Sequence, residues 1–155
     1  MFLLLSCLLL ADPEPTWAFK IQSQGNYPWA SFLGAKQLAV RNADELVAAS
    51  MHSMSRAAEE VRRANATREL CEALSLKTID WNKQMLLVVS MGTQSTGGYS
   101  IRITRAKEEK GVLTVFYKTQ SPGPEDLVTQ AITFPSHVVL VPTFKGKIQF
   151  VAEKE

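Results

Sequence analysis

Hydrophobic positions recur with a period of two at both ends of the chain and with a helical period between. WAFKIQSQG, residues 17–25, sets Phe19, Ile21 and Ser23 against Lys20 and Gln22, and KQLAVRN, residues 36–42, treats Leu38 and Val40 likewise. Both predict strands, joined by the Pro-containing connection NYPWASFLG. Asn42 then opens a helix, because its side chain can accept from free backbone amides while Glu45, three residues on, completes a capping-box spacing. The helix carries Val47, Met51, Met54, Ala58 and Val61, one stripe spaced by four, three, four and three, which must face a core or a partner; a core is the expectation. Helix preference falters at RRANATRE, where Asn65 or Thr67 can cap a second, short helix ending near Leu76.

From Asp80 the period changes. MLLVVSM is a short, nearly continuous apolar run suited to a central strand, YSIRITRA alternates Tyr99, Ile101 and Ile103, and GVLTVFYK is rich in β-branched and aromatic residues. SPGPED, with two prolines and a glycine, forbids a regular strand, and LVTQAITF, SHVVLV and GKIQFVA follow as further strand candidates. Strands, then helices, then strands predict an α+β class. The expected architecture is an antiparallel sheet system, sandwich or half-barrel, of about six to eight strands, with one long and one short helix inserted in the N-terminal half.

Residues 1–18 read as a signal-like segment and linker ahead of a single domain over 19–155. Phe2 to Ala11 is an uncharged apolar run, too short to span a bilayer but the length of a secretory h-region, with cleavage expected after Ala11 or nearer Phe19. No Lys or Arg precedes it. Cys7 follows Leu4, Leu5 and Ser6 as in a bacterial lipoprotein box, although Leu8 to Leu10 continue the apolar run; membrane attachment is expected only if Cys7 is lipidated. The localisation implied is secreted, periplasmic or cell envelope.

The 155 residues carry a net charge of +2, with Lys and Arg spread along the chain, and Arg62 and Arg63 sit beside Glu59 and Glu60; a polybasic nucleic-acid binder is not expected. Once the leader is removed, Cys71 is the sole thiol, among Leu70, Leu74 and Leu76, where a buried small hydrophobe is expected rather than a nucleophile. His52 and His137 share no metal-ligand spacing with each other or with cysteine, and no serine lies in a G-x-S-x-G frame. No catalytic residue, metal or cofactor is therefore expected.

The remaining candidate is GTQSTGGYSIRI. Gly92, Thr93, Gln94, Ser95, Thr96, Gly97 and Gly98 replace every hydrophobe between two strand-like runs, Tyr99 places a ring where the second run begins, and Pro122 with Gly123 forms a second turn signal. Two readings stand: a hairpin turn with Tyr99 in the core, or a binding loop whose exposed amides and Tyr99 meet a partner. Trp17, Trp29, Trp81 and Tyr27 could stack on sugars, which keeps an envelope carbohydrate or small-ligand binding domain as an alternative, with Trp29 and Tyr27 the pair expected to be exposed.

DWNKQMLLVVSMGTQSTGGYSIRI followed by SPGPEDLVTQAITFPSHVVLVP resembles the PrcB C-terminal domain family, named for a bacterial lipoprotein of a secreted protease complex. The resemblance runs through Asp80, Trp81, Gly92, Thr96, Gly97, Gly98, Tyr99, Pro122, Gly123, Thr129, Gln130, Ala131, Pro135, His137 and Pro142. Its core covers residues 80–142, and GNYPWASF and NADELVAASMH look like the family's lead-in. It implies a hairpin loop at residues 92–99 and a role in docking to or stabilising a secreted protease or another envelope protein. At the level of the loop motif alone, TGGY is similar to the loop that chagasin-type inhibitors wedge into cysteine proteases, which leaves an inhibitor-like domain as a further alternative.

Overall fold

The computed structural model describes residues 17–27, 34–50 and 56–154. The signal-like segment, Cys7, Trp29 and His52 lie outside them. Asn42 caps α1 (Ala43–Ser50) as expected: its Oδ1 accepts from the Glu45 amide at 2.8 Å, and Glu45 reaches back to accept from the Arg41 amide at 2.7 Å. The reciprocal bond thus reaches one residue further back than in a standard capping box.

The rest of the helical region departs from expectation. α1 is the short helix and α2 (Arg56–Ala73) the long one, and α2 runs unbroken through RRANATRE with Asn65 and Thr67 in its interior. Of the expected stripe, Val61 is 62% exposed; Val47, Met51, Met54 and Ala58 fall outside the described side chains. Among the described side chains the helices are anchored by Leu46 from α1 and by Leu70, Cys71 and Leu74 near the end of α2, all buried. This packing overrides the weak intrinsic preference of the Asn-Ala-Thr step.

Seven strands are present among the described residues: β1 (Ile21–Asn26), β2 (Ala35–Val40), β3 (Gln84–Met91), β4 (Ser100–Glu109), β5 (Val112–Gln120), β6 (Pro135–Pro142) and β7 (Lys147–Ala152). They form an antiparallel sheet in the order β1-β6-β3-β2 and a three-stranded sheet β4-β5-β7. The four-stranded sheet is the middle layer. Leu86, Val88, Val138 and Leu140 point to one side, where they pack with Val40, Ile79 and the helix residues; Met85, Leu87, Val89, Val139 and Val141 point to the other, against Ile101, Ile103, Ala106, Leu113 and Val115 of the smaller sheet. Burial on both faces is why β3 and β6 read as continuous apolar runs, whereas β4 alternates.

The α+β, two-sheet architecture agrees with the sequence reading, with two departures. β5 and β7 pair in parallel, because the chain crosses to the other sheet as β6 before returning beside β5. LVTQAITF is not a strand: residues 127–134 are irregular apart from one bridge at Thr133, and Leu127 and Ile132 are exposed. Leu127 to Phe134 places apolar side chains on both alternating faces, so a strand there would have no single face to bury.

Candidate functional site

β3 and β4 belong to different sheets, so residues 92–99 are not a hairpin turn; they carry the chain across the sandwich. The crossing begins at Gly92, whose φ is +71° and where a Cβ would come within 2.8 Å of the Ala35 amide nitrogen. No side chain fits that approach of loop to β2. The Gly92 amide donates to Ser90 Oγ at 3.1 Å, fixing the exit from β3.

Beyond Gly92 the loop is fastened to residues 121–134. Gln94 and Thr133 exchange both backbone bonds, at 2.9 and 3.0 Å, and the Gly97 amide donates to the Thr129 carbonyl at 2.9 Å. Thr133 Oγ1 donates to the Thr96 carbonyl at 2.8 Å, while Gln94 Nε2 donates to the Met91 carbonyl at 3.0 Å. At Gly98, with φ +86°, a Cβ would meet Val128 at 2.8 Å and Pro122 at 2.9 Å; at Gly97 it would overlap Thr129 Oγ1. The two glycines let one loop lie flat on the other.

The second loop has its own lock. Asp126 Oδ2 accepts from the Gly123 amide at 2.7 Å and the Asp126 amide donates to the Gly123 carbonyl at 3.2 Å, closing the PGPED turn. Thr93, Gln94, Ser95, Thr96, Gly97, Gly98, Tyr99, Pro122 and Gly123 therefore meet at one end of the sandwich. Thr93, Ser95, Gly98 and Gly123 are exposed; Gln94, Thr96, Gly97, Tyr99 and Pro122 are half-buried. Thr129 and Thr133, which hold this end together, do not stand out as site residues in the sequence; Thr129 enters there only through the family resemblance. Leu127 and Ile132 complete the exposed surface of the same segment.

His137 supports this end from within. It is 2% exposed, on the β6 face turned toward the smaller sheet, and its Nδ1 accepts from the Ile103 amide of β4 at 2.9 Å. That bond requires a neutral ring with its proton on Nε2. Burial first, and then the Arg102 charge, push the His137 pKa down to about 4. It is a tie between the sheets, as its geometry stands, and no group of three or more His, Cys, Asp or Glu among the described residues could hold a metal ion.

Aromatic rings are largely committed to packing. Trp17 meets Phe144 edge-on at 5.9 Å, Trp81 and Tyr27 pack against the helix-side core, and the Tyr27 hydroxyl bonds Ser23. Tyr27 is thus not the free stacking platform expected of it. Cys71 is buried as expected, which pushes its thiol pKa up, and Asp80, Glu125 and Asp126 are solvent-exposed.

Residues 85–142 match the family model described as PrcB C-terminal. No curated protein and no solved structure matches the chain. The matched segment runs from β3 through both interlocked loops to the end of β6, and over those residues this chain is similar to the PrcB C-terminal family.

Proposed function

We propose that this protein is a non-catalytic, extracytoplasmic protein-binding module that docks to or stabilises a secreted protease complex, through the end of the sandwich built by residues 92–99 and 121–134. The observation that carries the reading is the interlock itself. Two stretches some thirty residues apart, both inside the family match, are bonded through their backbones into one surface that presents Leu127 and Ile132 to solvent. A loop that only turned the chain would need neither the close glycine packing nor exposed apolar side chains, which are a feature of protein contact surfaces. The preset backbone lowers the ordering cost of binding. The family likeness over residues 85–142 is what points to a protease-complex partner, and the short apolar leader supports export. No helix of the described residues is long and apolar enough to cross a membrane.

Photo-crosslinking in the native host tests the proposal. A photoreactive residue at position 127 or 132 should capture a secreted protease subunit, while one at the exposed Val61 of α2 should not. Crosslinks from 127 and 132 that contain no protease component would overturn it.

A further inference from the structure

The outer face of the β4–β5 hairpin carries four cations, and their pairing is uneven. Arg105 lies over the Phe116 ring at 3.8 Å and bonds Glu153 at 3.0 Å; Lys107 bonds Glu109 at 3.3 Å. Arg102 and Lys118 have no such ion pair among the described residues, and they stand directly opposite each other across the ladder. Glu153 feels the Lys118 charge, but its carboxylate is already held by the Thr104 hydroxyl and Arg105. Like charges set opposite each other weaken a strand pair.

The opposition depends on an irregularity in the ladder. From Glu109↔Val112 to Arg105↔Phe116 the register is regular; continued unchanged, it would set Arg102 against Thr119 and Lys118 against the inward-facing Ile103. A one-residue shift between Ile103 and Arg105 rephases the strand, so that Ile101 and Ile103 face the core while Arg102 meets Lys118 outside. β-Bulges of this kind re-aim side chains beside functional sites.

The two cations open onto a groove of about 360 Å³, lined also by Gln24, Ser100, Thr119 and Gln120, all able to hydrogen bond. A smaller cavity of about 70 Å³ shares Gln24 and Ser100 and continues to Tyr99, Gly25 and Pro135, along the seam where the edge strands β1 and β4 approach. Tyr99 thus joins the interlocked loops to the groove.

We propose that the β1–β4 seam binds an acidic, extended polypeptide segment, with one carboxylate seated between Arg102 and Lys118 and the adjoining backbone bonded by the amide and hydroxyl side chains beside them. Charge complementarity selects the occupant: a carboxylate relieves the repulsion of the opposed cations, and the neutral donors and acceptors of the remaining wall suit a peptide backbone. That the ligand is a polypeptide rests on the docking reading; the anion chemistry stands on the groove alone.

Titration of the purified protein with a fluorescent, end-blocked peptide bearing alternate Glu residues tests this without any protease. The expected result is saturable, salt-sensitive binding, at least about tenfold tighter than that of the Gln counterpart, and weakened about tenfold by Arg102→Gln or Lys118→Gln. Arg102→Glu is the folding control: it places opposite charges across the ladder, so its melting temperature should equal or exceed the parent's while peptide binding is lost. Equal affinity for the Glu and Gln peptides, binding unchanged in both Gln variants, or inorganic phosphate binding as tightly as the Glu peptide would each overturn the proposal. A positive titration together with crosslinks lacking a protease would keep the groove and remove the protease reading; the reverse pattern would do the opposite.

Discussion

The buried His137 makes the stability of this fold depend on pH in a range where few other groups titrate. Its ring is neutral in the native state, because Nδ1 accepts from the Ile103 amide and neither the buried site nor Arg102 tolerates an imidazolium. Folding depresses its pKa from 6.5 to about 4, so between these values the unfolded chain binds more protons than the native one. The stability from this group is therefore complete above about pH 6.5 and is lost as the pH falls toward 4. At about 1.4 kcal/mol per pH unit, the full loss is about 3 kcal/mol. Urea unfolding at half-unit steps from pH 7.5 to 4 would measure it. Substituting His137→Asn isolates the group, since the Asn Oδ1 can take the place of Nδ1 but does not titrate. The variant should lose about 1–3 kcal/mol at pH 7 from lost packing volume. The difference between the two proteins should then move by about 3 kcal/mol in the variant's favour as the pH falls to 4, reaching zero or reversing, with contributions from groups common to both cancelling. Parallel pH profiles would refute the inter-sheet bond as drawn.

Other outcomes follow from packing. Gly98→Ala should cost about 1–3 kcal/mol in a denaturant titration, since a Cβ at φ +86° meets Val128 and Pro122. Leu46→Ala should cost about 2–5 kcal/mol and Val61→Ala less than about 0.5 kcal/mol by the same assay, because only Leu46 lies in the core. Ser95→Ala, at an exposed position, should leave the melting temperature unchanged. For export, mass spectrometry of the protein from its native host should find a mature chain beginning after Ala11 or near Phe19; intact Met1 on cytosolic protein would count against it.

The strands of this fold were legible where local pattern and burial agree. MLLVVSM and SHVVLV are apolar without alternation because helices cover one face of their sheet and the second sheet covers the other. The helices were less so. The spacing of Val47, Met51, Met54, Ala58 and Val61 is a valid helical stripe, yet Val61 is exposed, and among the described side chains burial falls on Leu46, Leu70, Cys71 and Leu74. Residues 92–99 were visible as a polar interruption, but a turn within one sheet and a crossing between two have the same composition. Their partners Thr129 and Thr133 lie more than thirty residues away. Arg102 and Lys118 were invisible as a pair, because their opposition depends on a one-residue shift in β4 that no local signal announces.

The most direct test of the docking surface is a titration of the purified domain against the secreted protease identified by crosslinking, comparing the parent with a Leu127→Glu, Ile132→Glu double variant. Both side chains are exposed, so the variant should melt within a degree or two of the parent. Under the proposed docking, the two charges should nonetheless weaken protease binding at least about 100-fold, equivalent to about 2.7 kcal/mol. Equal affinity of the two proteins for the protease would contradict the placement of the docking surface at this end of the sandwich.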